Sequence, residues 1–258
     1  MSKITLTSKD FFKGIIQKTN QEYAVKLPIF YYDNTTMTAI FTASTRALKK
    51  YLPEELCPVE AFPGKSLVAL SAFEYRHTDI GPYNEFSVAA LVNYPGKSIP
   101  GLSVASQLAQ KDFQAFILSL PVNSEVARKG GVELSGYPKF MADIEWGKED
   151  SDLNCTVSVK GNLLVKMQGK KLSGKKGAIT RTKIFTHYKS SLLGANLYVN
   201  PQQFSQSFHG KSAQFEVGTG HPMCDLLKDL KLGSRALIYQ FSAFNQAILF
   251  DSKNIIDI

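Results

Sequence analysis

Lys139 is the residue best placed to do covalent chemistry. It stands in Tyr137-Pro138-Lys139-Phe140-Met141. Apolar groups flank its ammonium, a setting that disfavours the charged form and predicts a lowered pKa. An ordinary lysine leaves about one amine in 2,500 neutral at pH 7, and a shift of roughly three units, about 4 kcal/mol, makes the free amine abundant. A neutral amine attacks a ketone to give an iminium, which accepts the electrons of a breaking C–C bond. Such chemistry needs a carboxylate to move protons. Glu85 closes the segment His77-Thr78-Asp79-Ile80-Gly81-Pro82-Tyr83-Asn84-Glu85, at a strand start beside a turn, where a side chain reaches a pocket mouth. By residue type alone, Lys139 also fits a surface lysine in a turn, and Glu85 an exposed strand-end glutamate.

The elements that must hold these groups follow from the local pattern. Asn123 is placed to cap a short helix over residues 124–129, which is expected to break at Gly130 and Gly131. A turn at Gly136 and the fixed φ of Pro138 then set the backbone before Lys139. Apolar strands are expected over residues 66–75 and 85–92, on either side of the Gly81-Pro82 turn, and over 113–120, ending at Pro121.

Two stretches carry a resemblance to a known family. Glu133-Leu134-Ser135-Gly136-Tyr137-Pro138-Lys139 resembles the turn that carries the active lysine of the acetoacetate decarboxylase superfamily. Gly81-Pro82-Tyr83-Asn84-Glu85 resembles its Gly-x-Tyr-x-Glu segment, which delivers a carboxylate to that lysine. The order, the spacing and the chain length agree, and looser similarity runs from about Phe30 to the C-terminus. The resemblance implies a barrel-like antiparallel sheet with the lysine in its cavity, Lys139 and Glu85 as catalytic residues, and Tyr83 at the substrate. It also implies no metal or organic cofactor, a small keto acid as substrate, and a homo-oligomer. The sequence departs from the family in three places. Phe140 stands where acetoacetate decarboxylases proper carry a second lysine; it is read as an apolar wall for the substrate. The family's substrate arginine falls near Asn34, in a stretch without Arg or Lys, and its other pocket glutamate falls near Leu70. Arg76 is a candidate substitute for that arginine, or equally a surface partner of Glu74 or Asp79.

Three functional readings stay open. The first is a Schiff-base decarboxylase of a β-keto acid, either acetoacetate or a larger, more apolar analogue. The second is an imine-forming aldolase or dehydratase on another keto acid. The third is a non-catalytic small-molecule binding protein on the same fold.

The rest of the chain sets limits on these readings. Its 258 residues are 44% hydrophobic, enough for one domain, taken as residues 1–258. Three distant cysteines, Cys57, Cys155 and Cys224, fit reduced thiols, and four scattered histidines offer no zinc spacing. No apolar run reaches about 18 residues, and the charged N-terminal stretch is unlike a signal peptide, so a cytoplasmic protein is expected. The net charge of +8 does not by itself select a partner, and neither nucleic acid nor membrane is assigned. The basic run of residues 169–177 has Lys176 where a phosphate loop needs Ser or Thr, and reads as a solvated hairpin loop.

Further helices are expected over residues 8–18, over 45–52 with Ser44 as cap, and over 225–232, ended by Gly233. Strands are expected at 29–32 and 38–42, separated by an Asp33-Asn34 turn, and at 179–188, 195–199, 213–217, 236–243 and 247–250. A hairpin should join 155–160 to 163–168 through Gly161-Asn162. Many short strands with few helices give an α+β class, a largely antiparallel β-barrel-like sheet with a few short flanking helices.

Overall fold

The structure, a computed structural model, describes residues 6–23 and 25–255. Its longer strands, in chain order, are β1 (Ile29–Ser44), β2 (Lys65–Thr78), β3 (Tyr83–Asn93) and β4 (Asp112–Val122), then the three-residue β5 (Lys139–Met141). There follow β6 (Asp143–Lys148), β7 (Asp152–Val159), β8 (Asn162–Lys170), β9 (Thr180–Tyr188), β10 (Ser191–Ser207), β11 (Ala213–Val217) and β12 (Ile238–Leu249). The helices are α1 (Thr45–Leu48), α2 (Leu102–Gln110), α3 (Glu125–Ser135) and α4 (Pro222–Asp229).

Seven strands form a closed circuit in the order β3-β2-β1-β12-β10-β9-β4, with β4 pairing back onto β3. Closure leaves no free edge within that circuit. Most pairings are antiparallel, but β4 runs parallel to both β9 and β5, so the barrel is mixed. A separate antiparallel sheet, β6-β7-β8-β11, packs against it. The main core lies between the two layers: Phe41, Leu70 and Phe86 from the barrel meet Leu164 and Met167 from the second sheet, all essentially inaccessible. Burying each such side chain contributes about 1.5–3 kcal/mol. The α+β, mostly sheet class expected from the sequence is the class observed.

Several local expectations are corrected. Residues 8–18 form turns instead of a helix: Gly14 takes φ +78°, and so short a segment cannot offset helix nucleation, although Phe11 still packs onto Phe30 and Ile248. Asp33-Asn34 is a bulge inside one continuous strand, β1, instead of a turn between two strands. Residues 236–250 likewise hold a single strand, β12, with irregular register between Ser242 and Asn245 and again between Asn245 and Ala247. The hairpin turn is Lys160-Gly161, both with positive φ, so Val159 pairs with Asn162. The basic run crosses from the second sheet back to the barrel and is not a hairpin. Helix α2 was not foreseen. Helix α4 begins earlier than expected, at Pro222, where the His221 ring nitrogen accepts from the Met223 amide at 3.2 Å.

Candidate active site

Helix α3 and the turn after it place Lys139. Ser124, one residue beyond the expected cap, accepts from the Ala127 amide at 3.4 Å and starts the helix. The helix does not break at Gly130-Gly131. Mid-helix glycine costs about 1 kcal/mol relative to alanine without ending a helix, and the end comes at Gly136, the first residue in the left-handed region (φ 62°, ψ 23°). There the Gly136 amide donates to the Val132 carbonyl and the Tyr137 amide to the Gly131 carbonyl, at 3.0 and 3.1 Å. The chain then enters β5 through Pro138, whose carbonyl accepts from the Leu120 amide at 3.2 Å.

Register brings the carboxylate to the lysine. On β4, Val122 pairs with Glu85 on one side and with Met141 on the other, while Leu120 pairs with Lys139. Lys139 Nζ donates to Glu85 Oε2 at 2.7 Å, with side chains only 7% and 9% exposed. Removing either partner of so buried a pair leaves an uncompensated charge, a change that typically costs about 3–5 kcal/mol. The lysine stem runs across Gly131, where a Cβ would lie 2.7 Å from both Cδ and Cε.

Aromatic side chains enclose the pair. Tyr75 donates to Glu85 Oε1 at 3.4 Å and packs against Tyr31 and Tyr83, with ring centroids 4.7 and 4.6 Å apart. The Tyr83 and Tyr137 rings lie 5.7 and 5.9 Å from Lys139 Nζ. The hydroxyls of Tyr83 and Tyr137 are buried and make no hydrogen bond. Burial first, and then the charge of Glu85, pushes the Tyr31, Tyr75, Tyr83 and Tyr137 hydroxyls above the ordinary phenol range, so all four are neutral donors. A small, mostly apolar cavity of about 30 Å³ reaches Lys139; Leu27, Ile29, Tyr31, Gly131 and Tyr137 are among its walls.

Tyr83, expected at the substrate, is in this shell. Arg76 and Phe140 are not. Arg76 lies on the opposite face of β2 from Tyr75. There it binds Asp33 at 2.9 Å and Glu74 at 3.0 Å, and also Thr35 and the Ala243 carbonyl. Phe140 follows Lys139 in a strand and so points the other way, its ring tilted at 35° against His221 with centroids 5.0 Å apart in a separate groove of about 560 Å³. The position taken for the family's arginine holds Asn34, buried and donating to the Asn245 carbonyl at 3.2 Å, and Leu70 belongs to the inter-sheet core. Sequence reasoning did not single out Tyr31, Tyr75 or Tyr137 as site residues. Pairing across the Gly81 turn, which sets Tyr75 opposite Tyr83, was the signal that could have found Tyr75.

Among the described residues no group of three or more His, Cys, Asp or Glu side chains is gathered, and no helix is long and apolar enough to cross a membrane. The three cysteines are free thiols.

Comparison with known proteins places this geometry in context. The sequence model of the acetoacetate decarboxylase (ADC) family matches residues 15–190. No curated protein matches the sequence. The crystal structure of acetoacetate decarboxylase from Legionella pneumophila superposes with a TM-score of 0.67 at 11% identity, covering 99% of this chain and 98% of that one. The enduracididine biosynthesis enzyme MppR complexed with pyruvate gives 0.64 at 13% identity, over 88% of this chain and 90% of that one. An acetoacetate decarboxylase-like enzyme from Sphingomonas wittichii RW1 gives 0.56 at 12% identity, over 89% and 94%.

Proposed function

Because the chain belongs to the acetoacetate decarboxylase family, we propose that it is an imine-forming enzyme that decarboxylates a small β-keto acid at Lys139. The observation that carries this reading is the 2.7 Å contact between Lys139 Nζ and Glu85 in a site otherwise walled by neutral groups.

The steps follow from charge. Lys139 and Glu85 together are neutral, so a bound keto acid brings a net charge of minus one into a buried space, which strongly favours uptake of one proton. Passing the ammonium proton to Glu85 frees the amine, which attacks the ketone carbon. The protonated Glu85 returns that proton to the carbinolamine hydroxyl, which leaves as water and gives the iminium. The proton taken up then resides on Glu85, and the site holds iminium, substrate carboxylate and neutral acid. The C–C bond breaks, its electron pair moves through the new C=C bond to nitrogen, and CO₂ leaves. Glu85 protonates the enamine carbon, and water hydrolyses the resulting iminium to ketone and lysine. One proton is consumed per CO₂ released, as the stoichiometry requires.

A second reading, aldol-type condensation through the same imine, is supported by the fold likeness to MppR, one of whose structures holds the condensation product of pyruvate and imidazole 4-carboxaldehyde. Borohydride trapping separates the two. The protein is incubated with acetoacetate and a panel of longer β-keto and α-keto acids, reduced, and the adduct mapped by mass spectrometry. A Lys139 adduct with CO₂ release, both absent in Lys139→Ala, is the expected result. An adduct without CO₂ selects the aldol reading. Absence of preferential labelling at Lys139 near pH 7 would instead leave a binding protein.

A further inference from the structure

The Tyr83 and Tyr137 hydroxyls are buried, make no hydrogen bond, and belong to rings whose centroids lie 5.7 and 5.9 Å from the Lys139 nitrogen. The Tyr83 hydroxyl lies near that of Tyr31 and the Tyr137 hydroxyl near Ser252, but without bonding geometry. An unsatisfied buried donor costs about 1–3 kcal/mol, and two beside one reactive amine point to acceptor atoms supplied by a ligand. Among the described residues no arginine lines the cavity at Lys139, and Arg76 is committed to Asp33 and Glu74.

We propose that Tyr83 and Tyr137 together hold the substrate's carboxylate as neutral donors, and that this selects a monocarboxylic keto acid. The inference rests on the reading of Lys139 as an imine-forming lysine. In a β-keto acid the carboxylate carbon lies about 3–4 Å from the imine nitrogen, nearer than the ring centroids at 5.7 and 5.9 Å. Neutral donors suit a reaction that destroys the charge they bind: when CO₂ leaves, a guanidinium would be stranded as an unpaired buried cation, whereas a phenol is not. A second carboxylate would have no partner, so dicarboxylic keto acids are excluded.

The test uses Tyr83→Phe, Tyr137→Phe and the double variant. Replacing an orphaned hydroxyl by hydrogen should leave Tm unchanged or raised, which separates recognition from a structural role. Binding of butanoate, an unreactive carboxylate, is measured by calorimetry, and should weaken at least tenfold in the double variant. The KM for acetoacetate should rise by a similar factor, and the preference for acetoacetate over acetone in borohydride labelling of Lys139 should fall with it. Unchanged butanoate affinity and unchanged preference, or failure of the parent protein to bind butanoate, would overturn the inference while leaving the lysine chemistry standing if labelling persists. If neither carbonyl compound labels Lys139 yet butanoate binding still depends on both hydroxyls, the carboxylate site stands and the decarboxylase reading falls.

Discussion

The stem of Lys139 occupies the space where any residue but glycine at position 131 would place its Cβ, so Gly131 shapes the candidate site without any chemistry of its own. Gly130, one residue earlier, faces Val25 Cγ2 at 3.6 Å, an ordinary contact. Alanine at either position favours the helix by up to about 1 kcal/mol. Gly130→Ala is therefore expected to raise Tm and keep activity, whereas Gly131→Ala displaces the ammonium from Glu85, lowers kcat at least tenfold and, because it parts a buried ion pair, lowers Tm. Equal activities for the two variants would refute this account. Lys139 and Glu85 were legible in the sequence because an apolar Tyr-Pro-Lys-Phe context and a Gly-Pro turn are local signals. Of the two readings open for Arg76, the structure shows the surface partner of Glu74, and Phe140 lies away from the lysine as the alternation of side chains along a strand requires.

Helix α3 is short, and its two ends carry different burdens. Ser124 supplies the cap, so Ser124→Ala should cost about 1 kcal/mol with little effect on the lysine, read as a lowered denaturant midpoint. At the other end Gly136 combines φ 62° with a Cβ position 2.3 Å from Tyr188 Cβ, so Gly136→Ala is expected both to destabilise by more than the Ser124 variant and to abolish Lys139 labelling. A Gly136 variant that keeps full labelling would contradict the placement of the lysine by this cap. Element boundaries were the least legible level. The glycine pair was read as a stop signal, but the helix runs through it, and of the two only Gly131 serves close approach to Lys139. The Asp33-Asn34 pair was read as a turn, but its strand continues because Asn34 finds the Asn245 carbonyl across the ladder.

The two sheets are joined by charge as well as by their apolar core. Glu74, on β2, receives Lys148 of β6 at 2.7 Å and also holds Arg76. Its burial favours the neutral form, but the hydrogen bond and charge of Lys148, with Arg76, outweigh this and hold the carboxyl below its usual 4.5. A lowered folded-state value means stability that is full above the unfolded value and is lost as pH falls through the folded one. Glu74→Gln should therefore flatten the decline of Tm with pH below about pH 4.5, and leave stability near neutrality lower than the parent. An unchanged acid slope would show that this link carries no linkage energy. At this scale composition and strand spacing announced the class, while the closing of seven strands into a circuit, set by pairings such as Val88 with Ser119, has no local signature.

That circuit decides how Lys139 and Glu85 are kept at bonding distance. Glu85 and the residues around Lys139 are laid on the same neighbour, β4, from its two sides, so the gap between amine and carboxylate is a dimension of the weave and not of any loop. A gap of this kind has no partly open setting. Heating should leave the proposed activity intact until the fabric itself gives way, and the temperature of inactivation should coincide with that of the far-ultraviolet melting transition.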